Sequence, residues 1–291
     1  MFKKISIDQT LYFGLLIFLL MRLWFVGNFF SHISCLLLAL LSFGIWLYFG
    51  KETKWRQRIK IVFPALSVPI LYLFLGKIVS FLQLSKIDES LQQIDHWLIG
   101  ESLSLKISVW IHPVFTELMF IVYMLFFYYI ISSFIHYAKR NDRITKSFYA
   151  GFFSIYWIGF LFYIITPGEG PFFAMPEVFE KSLTDGILIT KPICNMLNNA
   201  MNRTDVFPSL HCSLSAFCLL FDCSHRKKRF YFSVIFVVLI WLSTIYLRYH
   251  YFIDCIAGFA LTFFALVISK KVLRSFEIDK KGLEKNYEDT K

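Results

Sequence analysis

Two polar stretches decide how the rest of this sequence is interpreted: Val-Phe-Pro-Ser-Leu-His-Cys-Ser-Leu at residues 206–214 and Arg-Tyr-His-Tyr-Phe-Ile-Asp at residues 248–254. Both stand at the ends of long hydrophobic runs, and together they hold two histidines and an aspartate. Ionisable side chains at membrane depth are costly to desolvate unless they line a polar cavity, so they indicate a functional site. These stretches therefore predict where the chemistry of this chain takes place.

The surrounding sequence is too apolar for a soluble domain of this size. Of its 291 residues, 57% are hydrophobic and 20% are aromatic, and the mean hydropathy is +0.59. We expect an all-α, polytopic membrane helix bundle of about eight transmembrane spans. These spans are predicted near residues 11–29, 31–49, 61–83, 113–137, 147–166, 208–223, 231–248 and 252–269.

The order of the hydrophobic runs divides the chain into three predicted parts. Residues 1–60 are expected to form a two-span N-terminal extension, residues 61–270 a six-span catalytic core, and residues 271–291 a charged cytoplasmic tail. Between Ser85 and Gly100 apolar residues recur at helical spacing among polar ones, which predicts a helix lying in the membrane interface. The long connector 167–207 is predicted to serve the site.

The basic residues predict the orientation of the bundle. The net charge of +10 is gathered in short clusters between spans, a topology signal that argues against nucleic acid as a partner. By the positive-inside rule both termini are predicted to be cytoplasmic and the active site periplasmic or lumenal. The six cysteines show no CxxC spacing, so they are expected to act as packing residues.

Three side chains are candidates for catalysis. His250 and Asp254 are four residues apart, which on a helix places them on one face, where the carboxylate can orient one ring nitrogen and leave the other as a nucleophile or base. His211 begins the predicted sixth span on the same side of the membrane. One histidine that attacks and one that protonates a leaving group suit displacement at phosphorus. The same three residues would also form a metal ligand set, so a metal-dependent hydrolase is an alternative.

A phosphate site also needs cations and hydrogen-bond donors. Arg248 adjoins the histidine pair and offers a bidentate fork to phosphate oxygens, while Arg203 and Lys191 stand on the long connector. Ser209 follows Pro208, and the amides after it would meet an anion at a helix start. We predict Arg248, Ser209, Arg203 and Lys191 as substrate-binding residues. The alternatives are an arginine that extends to the interface and solvated residues on the connector.

In these residues the chain resembles the type 2 phosphatidic acid phosphatase superfamily, in the branch that includes fungal inositol phosphorylceramide synthase. Phe207–His211 looks like the second motif of that branch, with Leu in place of the Gly of the broader Pro-Ser-Gly-His form. Tyr246–Asp254, followed by Ala257 and Gly258, looks like its third motif. The resemblance covers roughly residues 61–270, and Ile94–Gly100 is similar to a segment that often precedes the core.

Two positions depart from the family pattern. Thr166–Pro171 stands at the place of the first motif but lacks its usual Lys and Arg, and Thr244 stands where many members have an arginine that binds phosphate. Under this resemblance, Arg248 or a residue of the connector would have to supply the positive charge that binds the phosphate.

The resemblance implies a lipid phosphate phosphatase or a head-group phosphotransferase that needs no metal or other cofactor. By position, His250 would attack phosphorus to form a phosphohistidine, Asp254 would orient it, and His211 would protonate the leaving oxygen. The substrate would be a membrane phospholipid or another lipid phosphate, with water or an alcohol, such as a lipid, as the acceptor. The alternative from another class is a transporter or lipid-binding membrane protein with histidine-based proton coupling, although such proteins usually show repeated halves.

Overall fold

The computed structural model describes residues 6–49, 53–140, 142–183 and 188–288, and the regular elements found in them are helices. In chain order these are α1 (Ile7–Phe25), α2 (His32–Phe49), α3 (Lys54–Leu82), α4 (Asp88–Ile99), α5 (Leu103–Lys106), α6 (Pro113–Ala138), α7 (Asp142–Ile165), α8 (Pro171–Ala174), α9 (Thr190–Ala200), α10 (Leu210–His225), α11 (Lys227–Tyr246) and α12 (Phe252–Glu288). Short 3₁₀ turns follow α5 at Ile107–Trp110 and α8 at Pro176–Val178.

Within those described ranges, seven helices contain a segment long and apolar enough to cross a membrane. These segments are Ile7–Phe25, His32–Phe49, Arg58–Leu82, Pro113–Ala138, Asp142–Ile165, Lys227–Tyr246 and Phe252–Phe276. The chain is therefore an integral, multi-pass membrane protein, and the predicted all-α polytopic bundle is confirmed.

The predicted sixth span corresponds to α10, which is shorter than the others. Its 16 residues extend about 24 Å at 1.5 Å per residue, against a hydrocarbon core of about 30 Å. Most of its side chains are buried, because α6, α7, α11 and α12 all pack against it. A helix that packs against protein along most of its surface can carry Ser, Cys and Asp residues, so its hydrophobic run in the sequence is short.

The two ends of α10 lie at opposite ends of the bundle. At its start, the amide of Ser209 donates to the carbonyl oxygen of Asp254 at 3.0 Å. Near its end, Asp222 accepts hydrogen bonds from the hydroxyl of Tyr137 at 2.5 Å and from the guanidinium of Arg229 at 3.2 Å. The starts of α10 and α12 thus meet at one end, and the end of α6 meets the start of α11 at the other.

The first two helices pack onto the rest of the bundle. The ring of Tyr12 on α1 lies 4.8 Å from the ring of Trp157 on α7, and its hydroxyl hydrogen-bonds with Ser67 on α3 at 3.3 Å. The predicted domain boundary at residue 60 stays a prediction. So does the boundary at residue 270, where α12 continues as one helix to Glu288.

The helix predicted between Ser85 and Gly100 is present as α4, and its position in the membrane interface stays a prediction. It ends at Gly100, whose φ of +80° is a left-handed conformation that glycine adopts without strain. Asp95 lies on its buried face, and its carboxylate accepts the amides of Phe252 at 2.8 Å and of Ile253 at 2.9 Å. Since those amides belong to the first turn of α12, α4 caps the helix that carries Asp254.

Candidate active site

A cavity of about 360 Å³ lies beside the start of α10. Its apolar part is lined by side chains of α3, α6 and α7, among them Val68, Pro69, Phe126, Phe127, Ile130, Ile131, Tyr156 and Phe160. Its polar part is lined by His211, His250, Arg203, Asp205 and Glu169. The two polar stretches of the sequence therefore meet at the polar end of an otherwise apolar cavity.

His211 and His250 face each other at this polar end, with 5.7 Å between the centres of their rings. The ring of His211 stacks on Tyr123 of α6 at a centroid distance of 4.5 Å, which fixes its orientation. Among the described residues, Nε2 of His211 and Nδ1 of His250 have no hydrogen-bond partner. Buried polar atoms normally have partners, so the unpartnered Nε2 of His211 indicates that a ligand binds beside it, whereas Nδ1 of His250 faces the carboxylate of Asp254.

Asp254 lies behind His250, but the two residues do not share a helix as the spacing predicted. His250 stands in the turn between α11 and α12, and Asp254 stands in the first turn of α12. Its Oδ2 accepts the amide of Tyr251 at 2.7 Å and lies 3.4 Å from Nδ1 of His250. That separation exceeds an ordinary N–H···O hydrogen bond, and such bonds often tighten when substrate binds.

The approach of α12 to α10 depends on Gly258. A Cβ at this position would lie 2.7 Å from the carbonyl oxygen of Ser209, which is closer than real Cβ contacts come. Glycine therefore permits the contact that places the first turn of α12 beside the start of α10. This contact brings Asp254 and His211 to the same cavity end.

Burial lowers the pKa of His250 to about 4, while the negative charge of Asp205 and a hydrogen bond to the Val206 backbone oppose the shift. The ring is therefore neutral at pH 7. A neutral imidazole keeps the lone pair that a nucleophile or base requires.

Of the predicted cations, Arg203 lines the cavity, with its guanidinium 4.5 Å from the ring centre of Phe173. Arg248 is buried and turned towards the connector instead. Its guanidinium lies 3.9 Å from the ring centre of Phe179, and its Nη2 donates to the carbonyl oxygen of Lys181 at 2.8 Å. Burial lowers the pKa of Arg248 to about 10, so it remains cationic at neutral pH.

The other two predicted substrate-binding residues lie outside the cavity lining. Lys191 is exposed on α9. Ser209 is the N-cap of α10, and its hydroxyl accepts the amide of Cys212 at 3.3 Å. The substrate-binding role of all four residues stays a prediction, and Arg203 is the one whose position suits it best.

The segment at the place of the first motif is held by α4. The carboxylate of Asp88 accepts the amides of Glu169 at 3.1 Å and of Gly170 at 2.9 Å, together with the hydroxyl of Tyr251 at 3.1 Å. Lys86 pairs with Glu169 at 2.6 Å. Asp88 therefore joins the connector after α7 to the turn that carries His250.

Sequence analysis missed two residues at the cavity, Tyr72 and Asp205. The hydroxyl of Tyr72 on α3 donates to Oδ2 of Asp205 at 2.6 Å. Nothing marks Tyr72 among the 15 tyrosines of the chain. Asp205 carried a signal, since it is a charged residue two positions before the Phe207–His211 motif.

Residues 89–268 match the sequence profile of the PAP2 superfamily, which is more than half of the chain. The chain belongs to the PAP2 superfamily. Among curated proteins, this PAP2 chain is similar to the inositol phosphorylceramide synthase catalytic subunit AUR1 of Saccharomyces cerevisiae, at 36% identity over 73 residues. The matched stretch covers 24% of this chain and only 18% of the yeast protein. No solved structure matches the chain.

Membership of the PAP2 superfamily and the likeness to the yeast subunit confirm the predicted resemblance. Both matches favour an enzyme of the membrane lipid phosphatase or phosphotransferase type.

Proposed function

We propose that this protein hydrolyses or transfers the phosphate-bearing head group of a membrane lipid through a phosphohistidine on His250. The observation that carries the proposal is the meeting of His211 and His250 at the polar end of an apolar cavity, with Asp254 behind His250. The apolar part of the cavity suits lipid chains, and its polar end suits a phosphate.

The two histidines have complementary tasks in this proposal. A ring nitrogen of His250 bonds to phosphorus while the bond from phosphorus to the leaving oxygen breaks, and that oxygen takes its proton from His211. Water or an alcohol then gives its proton to His211, and its oxygen bonds to phosphorus as the phosphorus–nitrogen bond breaks. Asp254 stabilises the charge on the imidazole, and Arg203 stabilises the charge on the phosphate oxygens.

The proposed site faces the non-cytoplasmic leaflet, and both termini are cytoplasmic. Two groups of basic residues, Lys139, Arg140, Arg143 and Lys146 in one and residues 226–229 in the other, lie at the end of the bundle opposite His211 and His250, where α6 ends and α11 begins. Basic clusters favour the cytoplasmic side, so their distance from the cavity supports this orientation.

The test of the mechanism is a His250→Gln variant, purified and reconstituted in vesicles of mixed phospholipids. We expect release or exchange of head groups to fall at least about 10³-fold, because the attacking nitrogen is lost. His96→Gln, an exposed histidine on α4, is the matched control and should retain full turnover. Size-exclusion chromatography and thermal unfolding of both variants establish that they are folded.

Three outcomes separate the alternatives. Substantial turnover by His250→Gln would contradict the phosphohistidine. Loss of turnover on exhaustive chelation would favour a metal-dependent hydrolase, whereas we expect activity to survive, because no step of the proposal uses a metal. Proton movement across the vesicle membrane without lipid turnover would favour the transporter.

A further inference from the structure

Asp205 is a carboxylate at the polar end of the cavity, and no ion pair to it is found among the described residues. It lines the cavity together with both histidines. In the part of the chain that the structure describes, no lysine or arginine lies within ion-pairing distance of it. Glu169, the other carboxylate of the cavity lining, is paired with Lys86. Asp205 therefore has no direct ion pair at the place where the phosphate is expected.

Hydrogen bonds hold Asp205 in this position. Tyr72 donates its hydroxyl to Oδ2 at 2.6 Å, and the side-chain amide of Asn202 donates to the carbonyl oxygen of Tyr72 at 2.5 Å. The segment before α10 is thus joined to α3 at two points. An ionised carboxylate has about four acceptor sites, so Asp205 can accept further hydrogen bonds from a molecule in the cavity.

A fixed carboxylate has opposite effects on two kinds of lipid phosphate. A phosphomonoester carries close to two negative charges near neutral pH, and Asp205 repels it. A phosphodiester carries one negative charge, and many head groups attached to it bear hydroxyl or ammonium groups. Such groups donate strong, charge-assisted hydrogen bonds to a carboxylate.

We propose that Asp205 binds a hydroxyl or ammonium group of the head group of a phosphodiester lipid, and so selects phosphodiester lipids over lipid phosphomonoesters. This inference rests on the proposed function, since it concerns the same cavity. In this proposal Asp205 contacts the head group, and Arg203 contacts the phosphate oxygens.

The test is the Asp205→Asn variant of the full chain. Asparagine keeps an oxygen that accepts a hydrogen bond from the hydroxyl of Tyr72, but it removes the negative charge.

Turnover is measured in phosphatidylcholine vesicles that contain phosphatidylinositol, phosphatidylglycerol, phosphatidylethanolamine or phosphatidic acid. We expect kcat/KM to fall roughly 10- to 100-fold for the phosphodiester that the wild type uses best. For phosphatidic acid it should stay constant or rise. The preferred phosphodiester shows whether the donor is a hydroxyl or an ammonium group.

Two further variants separate head-group binding from a merely structural role. Tyr72→Phe removes the hydroxyl that positions Asp205 and should weaken the same preference by a smaller factor. Glu101→Gln neutralises an exposed carboxylate outside the cavity lining and should leave the ratio of phosphodiester to phosphomonoester turnover unchanged.

The outcomes distinguish this inference from the proposed function. A wild type that turns over no lipid contradicts both. A wild type that prefers phosphatidic acid contradicts the inference alone. So does an Asp205→Asn variant that lowers phosphodiester and phosphomonoester turnover by the same factor, or that changes neither.

Discussion

Burial and charge act in opposite directions on His250. The side chain is only 3% exposed, and removal from water disfavours the imidazolium form, whereas the nearby carboxylate of Asp205 favours it. Burial has the larger effect, so the ring stays neutral across the physiological range. This balance has a consequence for the pH dependence of turnover.

We expect the acid limb of kcat/KM to have its midpoint near pH 4, well below the ordinary histidine value of 6.5. As the pH falls through the pKa of His250, a proton occupies the lone pair that attacks phosphorus, so turnover is lost below the midpoint and retained above it. Asp205→Asn removes a charge that raises this pKa and should move the midpoint to lower pH. Steady-state kinetics across the acid range measure both. A wild-type midpoint near the ordinary value would contradict the assignment.

At the level of residues, sequence predicted the histidines and the aspartate that meet at the cavity better than the groups that surround them. His211, His250 and Asp254 stand within short motifs, and their shared membrane face follows from the order of the spans. Asp205 and Tyr72 are 133 positions apart, and no spacing rule predicts their contact. Arg248 adjoins His250 in sequence, yet its guanidinium lies against Phe179 and outside the cavity lining.

Among the helices, the contact between α10 and α12 places the site most directly. It joins the start of the helix that carries His211 to the first turns of the helix that carries Asp254. Because a glycine stands at the closest approach, this contact can be changed by a single methyl group.

We expect Gly258→Ala to separate α10 from α12. The added Cβ would meet the carbonyl oxygen of Ser209 at 2.7 Å and the Cβ of Cys212 at 3.1 Å, so the variant should lose about 1 to 3 kcal/mol of stability. Turnover should fall about tenfold or more, because Asp254 moves relative to His250. Thermal unfolding in detergent and vesicle kinetics measure the two effects.

The matched control is Gly14→Ala in the interior of α1, where an added Cβ meets nothing within 4 Å. It should leave turnover unchanged and raise stability by up to about 1 kcal/mol, because alanine favours the helix. Equal behaviour of the two glycine variants would show that the close approach of α10 and α12 does not position the site.

The boundaries of the helices show what hydropathy can and cannot predict. The predicted span 113–137 agrees closely with α6 at Pro113–Ala138. α1 begins at Ile7, four residues before the predicted span, because Asp8, Gln9 and Thr10 form a polar first turn. α12 likewise continues beyond its predicted span as a polar helix. Hydropathy locates the part of a helix that crosses the hydrocarbon core, whereas hydrogen bonding determines where the helix ends.

On the scale of the whole molecule, His211 and His250 lie at one end of the bundle. The basic residues near 139–146 and 226–229 lie at the other end. The sequence predicted this separation, because the spans alternate in direction between the basic connectors and the connectors that bear the site. The cavity between α3, α6 and α7 could not be predicted in the same way, since hydropathy does not reveal which spans pack together.

Accessibility from the two sides of the membrane tests the predicted orientation. In a chain whose six cysteines are replaced by serine or alanine, we expect Lys191→Cys to react with a membrane-impermeant maleimide that is supplied from the non-cytoplasmic side of the intact membrane. Lys139→Cys, also at an exposed position, should react only after permeabilisation. The reverse pattern would place the site on the cytoplasmic side.

The carboxylates of α4 also bear on the order in which the protein is made. Asp95 is separated by 157 positions from the amide of Phe252 that it accepts, and Asp88 by 163 positions from the hydroxyl of Tyr251. At about 5 to 20 residues per second, the ribosome completes the chain up to these partners roughly 8 to 30 s after α4. During that interval neither carboxylate has its partner from the end of the chain. The candidate site is therefore completed only when the last span enters the bundle, and a nascent chain without that span lacks Asp254 and both of these contacts.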